Sequence, residues 1–272
     1  MTLSSSNQTE GFRSLQQLFN GNKKFRQGVR VSAERAVEGD PGFMFLGCLD
    51  NRLTPSTIFN APSGSLVTHN NIGNQYSTKD AGADAAVAYA IESLQVQHII
   101  VLGHYGCKGV ANAITKSQKV SQLVRKWIKP ISDMYAVARR VEIVKLRDSR
   151  MPRRGQPNGI TDSPPSDDPG FRAVVEENVK RNVRNLRENK TLQQAFSRKL
   201  KTDEGKAIDV FVHGFVYDEG TGDVNDLHVS YGPPGKVIPH IPFKAVKAAQ
   251  NYQGSGGGIK KGKTWDFKAH HM

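Results

Sequence analysis

Cysteine is almost absent. The chain of 272 residues holds two, Cys48 and Cys107. Two cysteines so far apart do not make the disulfide framework of a small secreted domain. Metal ligation or simple burial remains for them. Long apolar runs are missing as well. None approaches the roughly 18 residues that a membrane span needs, so no membrane partner is expected. The opening stretch MTLSSSNQTEGF has no apolar centre and carries Glu10 with little arginine. It resembles neither a secretory leader nor a transit peptide, and the cytoplasm is the expected compartment. Acidic residues are in deficit, 25 against 38 Lys and Arg, for a formal net charge of +13. Such a balance invites a nucleic-acid reading. No nucleic-acid motif accompanies it, and much of the excess sits in KLRDSRMPRR and in the tail GGGIKKGKTWDFKAHH. A basic surface with basic loops, and no nucleic-acid partner, is the simpler account. Internal repeats are absent too.

What is present is a chain with 37% hydrophobic residues, enough for a real core. Residues 11–30 read as a helix with Phe12, Leu15, Leu18 and Phe19 at apolar positions. A helix of that length must pack on something to be stable. FMFLG (43–47) is a short, wholly apolar run closed by glycine, the pattern of a buried parallel strand. SLVTHN (65–70) and the β-branched HIIVLGH (98–104) are two further strands, separated by an Ala-rich helix at 81–94. Helices are expected at 108–116, 118–146 and 171–188, and a hairpin in AIDVFVHGFVYDEGTGDVNDLHVSYG. Residues 147–170, rich in Pro, Gly, Asp and Ser, read as a long mobile loop insertion.

Strands alternating with helices predict an α/β fold: a mainly parallel central sheet with an antiparallel edge strand, flanked by helices, with an N-terminal helical arm. One domain is expected over residues 1–250, followed by a flexible basic tail at 251–272.

Functional groups in such sheets gather at the carboxyl ends of strands. Two strand ends here carry metal-ligand types. GHYGCKG places His104 and Cys107 three apart in a tight turn, and Cys48 leaves the other strand. A lone cysteine is ordinarily a small hydrophobe. The coincidence of both cysteines and a histidine at strand ends outweighs that. Two thiolates with one imidazole select zinc over magnesium or calcium. Three protein ligands with a fourth position left open is the pattern of catalytic zinc.

On these residues the sequence resembles the β-class carbonic anhydrases. That family's first motif, Cys-x-Asp-x-Arg, is matched by Cys48, Asp50 and Arg52, and its His-x-x-Cys by His104 and Cys107. NGNKKFRQG and HGFVYDEGTGDVNDLHV resemble its N-terminal helix end and last hairpin, so the likeness spans roughly residues 14–230. The resemblance implies zinc on Cys48, His104 and Cys107. It implies that Asp50 pairs with Arg52, orients the zinc-bound water and accepts its proton. In some members that pair breaks and the aspartate becomes a fourth ligand. Gly109 is implied to contact substrate. The implied activity is reversible hydration of carbon dioxide to bicarbonate by zinc-bound hydroxide, with a homodimer or homotetramer as the assembly.

The chain departs from the family pattern in places. Gly39 stands where a glutamine donor is usual, Lys108 where glycine is usual, and Asn70 where arginine is usual. An oxyanion-type donor is commonly worth about 3 kcal/mol, so a reduced rate is expected. Lys108 would be strained if its φ were positive; its ammonium points to solvent or reaches an anion. One branch of the family holds a second, inhibitory bicarbonate with a tryptophan, an arginine and a tyrosine. Here those positions are Phe45, Asn70 and Tyr217, and no such inhibition is expected. Two alternatives stay open: a zinc hydrolase or lyase acting on another small electrophile, and a non-catalytic paralogue.

Overall fold

The computed structural model describes residues 14–33, 40–115, 120–155, 160–202 and 204–246. Gly39 and the basic tail at 251–272 lie outside the described residues. The strands are β1 (Phe43–Cys48), β2 (Leu66–Asn71), β3 (His98–His104), β4 (Phe211–Tyr217), β5 (Val224–Asp226) and β6 (Lys244–Ala245). They form one sheet in the order β2-β1-β3-β4-β5-β6. All neighbouring pairs are parallel except β4 with β5, the expected antiparallel edge.

The two faces of the sheet differ because side chains alternate along a strand. Met44, Leu46, Ile99, Val101, Val212 and Val216 face the main core. The helices α3 (Ala81–Glu92), α4 (Lys108–Ile114), α5 (Gln122–Val137) and α7 (Pro169–Asn185) contribute to that core. Asp80 caps α3 by accepting from the Gly82 and Ala83 amides, and Asp168 caps α7 by accepting from Phe171. Helix α7 presents Val175, Val179 and Val183, one turn apart, to β3 and β4. It sits unusually close. A Cβ on Gly103 would lie 2.5 Å from Val179 Cγ2, and one on Gly214 would lie 3.0 Å from Val183 Cγ2. The absence of side chains there lets the helix down onto the sheet.

The other face carries a small cluster of Phe45, Ile100, Leu102, Phe215 and Tyr217. Beside it lies a cavity of about 540 Å³ lined by aromatic rings and by His98 and His213. The short helix α2 (Pro55–Ile58) and the segment around Phe243 border this face. Helix α1 (Leu15–Ala33) belongs to neither core cluster among the described residues, and exposes Leu15, Leu18, Phe19 and Phe25.

Two expectations are corrected. The single helix at 118–146 is two, α5 and α6 (Val141–Ser149), because Ala138 takes an extended ψ of 135°. The Arg147 guanidinium bonds the carbonyls of Tyr135, Ala136 and Ala138 and so stabilises the break. The 147–170 insertion is shorter than expected. Its start lies in α6, its end in α7, and Arg150 ties it by bonding the carbonyls of Ile160 and Asp162. Also unexpected are α8 (Lys190–Phe196), the 3₁₀ turn Leu186–Glu188, α2 and the two-residue β6.

His213 is buried, stacks on Phe215, and bonds His98 Nδ1 through Nε2 at 3.0 Å and Ser230 through Nδ1 at 3.0 Å. Burial, with His98 beside it, pushes its pKa down to about 4. An unfolded histidine takes up its proton near pH 6.5, so between those values the unfolded chain binds more protons. Stability is therefore full above pH 6.5 and falls as pH drops toward 4. Urea unfolding of wild type and His213→Leu at pH 7.5 and 4.5 is expected to show the wild type losing about 2–3 kcal/mol more than the variant. An equal loss in both would contradict this assignment.

Candidate metal centre

Cys48 is the last residue of β1 and His104 the last of β3, and those strands are adjacent and parallel. The sheet therefore delivers both side chains to one edge. Cys107 returns to the same point because Gly106 reverses the chain with a φ of +78°. Lys108 then begins α4 and is not among the residues with positive φ, so the strain considered at that position does not arise. Its side chain is exposed to solvent.

Cys48, Asp50, His104 and Cys107 each offer a ligand atom, all within 4.8 Å of one another. The two sulfurs are 3.4 Å apart. Asp50 Oδ1 lies 2.6 Å from Cys48 Sγ, 2.9 Å from His104 Nε2 and 3.5 Å from Cys107 Sγ. Its Oδ2 accepts the Lys108 amide at 2.5 Å. The Gly73 amide donates to Cys48 Sγ at 3.3 Å. Cys48, His104 and Cys107 are buried, whereas the Asp50 side chain is 26% exposed. Asp50 is thus the member that faces solvent.

The expected Asp50–Arg52 pair is not formed. Arg52 is exposed, and among the described residues no ion pair joins it to Asp50. The carboxylate is drawn instead to the half-buried side, where His104 and the Lys108 amide are its partners. A guanidinium in water offers little by comparison, since exposed pairs are worth about 0–1 kcal/mol.

The electrostatics explain the crowding. The hydrogen bond from Cys107 brings the Cys48 thiol down to about 6, against the opposing pull of burial. That same bond, together with burial, raises Cys107 well above the usual thiol range. Burial alone would raise Asp50, but the bonds from His104 and Cys48 outweigh it and hold the carboxyl well below the carboxylate range. Burial would lower His104, and Asp50 and Cys48 lift it to about 10 instead. Cys48, Asp50 and His104 thus lie in mutual contact, the carboxylate against a thiol and an imidazole ring. Two sulfurs, an imidazole nitrogen and a carboxylate oxygen suit zinc in both number and softness.

Of the residues singled out in the sequence, Cys48, Asp50, His104 and Cys107 come together, and Arg52 stands outside. Gly109 is buried in α4, and a Cβ there would lie 2.8 Å from Ile72 Cγ2 and 3.1 Å from Gly73 N. It lets α4 approach the loop that carries the Gly73 amide. Phe45 and Tyr217 share the small cluster on the other face, and Asn70 lies on the edge strand against Gly47. These three supply no cation for a second anion. Sequence reasoning missed the Gly73 and Lys108 amides, since backbone donors leave no residue-type signal. It also missed Glu219, whose Oε1 lies 3.3 Å from His104 Nδ1.

A family model described as carbonic anhydrase matches residues 43–224. The carbonic anhydrase of Emericella nidulans is 27% identical over 196 residues, which is 72% of this chain and 73% of that protein. Among solved structures, a Coccomyxa beta-carbonic anhydrase in complex with acetazolamide is 26% identical with a TM-score of 0.60. That match covers 79% of this chain and 86% of the other. One of two tetrameric beta-carbonic anhydrases from Sordaria macrospora is 24% identical with a TM-score of 0.57, covering 79% and 95%.

Proposed function

The chain belongs to the carbonic anhydrase family, in its β class, and from that premise we propose that it hydrates carbon dioxide reversibly to bicarbonate at the Cys48–Asp50–His104–Cys107 centre. The observation that carries the reading is the convergence of these four donors at the carboxyl ends of two adjacent parallel strands. Cys48, His104 and Cys107 would hold the zinc, being buried and fixed by strand ends and turn. When bound, zinc supplies the acidity that lets water lose a proton near neutral pH.

The chain's own residues do the rest. With zinc bound, the two thiolates would offset the ion's charge, and the Gly73 amide, which donates to Cys48 Sγ, would draw electron density from that ligand. Asp50 is the solvent-facing carboxylate of the four; in this reading it would accept the proton that water gives up and aim the remaining lone pair at carbon. In the observed geometry Asp50 Oδ1 lies 2.6 Å from Cys48 Sγ, 2.9 Å from His104 Nε2 and 3.5 Å from Cys107 Sγ, so it would compete with water for a zinc held there. Turnover therefore requires that carboxylate to leave the cluster, and Arg52, two residues on, is the group that can receive it. Bidentate pairing with a guanidinium would hold it clear.

The assembly belongs to the same proposal. The unpacked apolar positions of α1 and the open aromatic face of the sheet support exchange of α1 between protomers. The tetrameric Sordaria proteins share this fold. A cytoplasmic location is retained as part of the proposal. Among the described residues no helix is long and apolar enough to cross a membrane.

The test is stopped-flow hydration of the zinc-loaded protein across pH 6.5–9. A zinc-dependent rate is expected, below the roughly 10⁶ s⁻¹ of the fastest zinc enzymes. Fully zinc-loaded protein with no rate at any of these pH values would overturn the reading and favour action on another small electrophile or a non-catalytic role.

A further inference from the structure

His104 turns Nε2 toward the ligand cluster, 2.9 Å from Asp50 Oδ1. A neutral imidazole that gives one nitrogen to a metal carries its proton on the other. With Nε2 on zinc that proton would sit on Nδ1, which is buried and has no hydrogen-bond partner among the described residues. A buried donor left unmet costs about 1–3 kcal/mol. The carboxylate of Glu219 stands 3.3 Å away, on a side chain that is 38% exposed.

The fold places Glu219 there. β3 and β4 run parallel in a register that sets His104 beside Tyr217, and the Tyr105 amide bonds the Tyr217 carbonyl at 3.0 Å. The chain then turns back at once. Asp218 is held by Arg172 at 2.5 Å and accepts the Gly220 amide at 3.0 Å, while its own amide bonds the Asp223 carbonyl at 2.9 Å. Arg172 in turn lies 3.6 Å over the Tyr105 ring. The residue between the pinned Asp218 and Gly220 has its side chain directed at the histidine.

We propose that Glu219 is the positioning residue of His104: its carboxylate accepts the Nδ1–H and so fixes the tautomer and ring rotation that present Nε2 to zinc. Carboxylates in this position raise the basicity of a metal-bound imidazole and hold its orientation. In the structure Asp50 lies at Nε2 and Glu219 at Nδ1 of this ring; with zinc on Nε2, Glu219 would be the carboxylate that stays with the ring. The proposal rests on the zinc reading of the centre.

Zinc affinity and release rate, measured on the full chain against a chromophoric chelator, test it without reference to turnover. Glu219→Ala is expected to weaken zinc about ten- to a hundredfold. Glu219→Gln keeps an acceptor oxygen and should recover part of that loss. Glu204→Ala, which removes an exposed carboxylate paired with Lys206, should change nothing. In cobalt-substituted protein the Nδ1 proton should exchange slowly with solvent in wild type and fast in Glu219→Ala. Zinc affinity within about twofold of wild type in Glu219→Ala, against the loss expected of such a partner, would overturn the proposal. Should Glu219→Ala fail to fold, the wild-type Nδ1 proton decides: rapid exchange means that water is its partner and Glu219 is not. Wild type that takes up no zinc sinks both readings. Wild type that binds zinc without hydrating carbon dioxide sinks the activity alone.

Discussion

Cys107→Ser is expected to yield a folded protein with almost no zinc and no measurable carbon dioxide hydration. Cys107 is buried at the start of α4, 3.4 Å from Cys48 Sγ, and among the described residues the cluster offers no third sulfur to replace it. Serine keeps the shape but offers a hard, weakly acidic oxygen to an ion that prefers thiolate. Groups one shell beyond the metal cost about ten- to a hundredfold in affinity when lost; a ligand should cost more than a hundredfold. Elemental analysis after dialysis against a weak chelator reads the result. Stoichiometric zinc in the variant would remove Cys107 from the ligand set.

Asp50→Asn is expected to keep zinc and lose catalysis. Three ligands survive, and an amide oxygen still accepts the Lys108 amide that now bonds Oδ2. An amide accepts no proton, however, and positioned acid–base groups are commonly worth about 10²–10⁴ in rate. Hydration should fall by that order at unchanged zinc content. Arg52→Ala should fall in the same direction for a different reason. Without the guanidinium, Asp50 has no cation to draw it out and stays on the Lys108 amide, 2.6 Å from Cys48. Because both changes disable one device, the double variant should be no slower than Asp50→Asn alone. Additive losses, or Asp50→Asn at the wild-type rate, would show that the carboxylate does not work through Arg52.

β1 and β3 were legible because they are short apolar runs that end on a glycine and a ligand. Phe43–Cys48 and His98–His104 are read from the chain almost to the residue. The ligand set was legible for a similar reason: cysteine is so scarce that its two positions carry information. Less visible was anything decided by a distant partner. The break after α5 depends on Arg147 reaching three carbonyls, and no local breaker announces it; Pro130 lies inside the helix instead. β6 exists through pairing with β5 and has too few residues to show alternation. The partner that Asp50 takes in this structure was hidden in the same way. The motif places the two groups within reach, but which partner the carboxylate takes is set by burial of His104 and by the Lys108 amide. Glu219 hid in a turn whose composition says only that the chain reverses.

The close seating of α7 has a consequence for how this sequence can vary. Gly103 and Gly214 hold the helix at its height, and Val175, Val179 and Val183 occupy the space those glycines leave. These positions are not free to drift one at a time. A larger residue at Gly103 has to arrive with a smaller one at Val179, or α7 must rise. Gly103 is also the residue before His104, so a lifted helix shifts a ligand as well as a packing layer. Second-site suppression would then separate two inheritances. Trimming Val179 restores the fold, and only the return of the helix restores the metal. Constraint on the chemistry is thereby written into valines that touch neither zinc nor substrate.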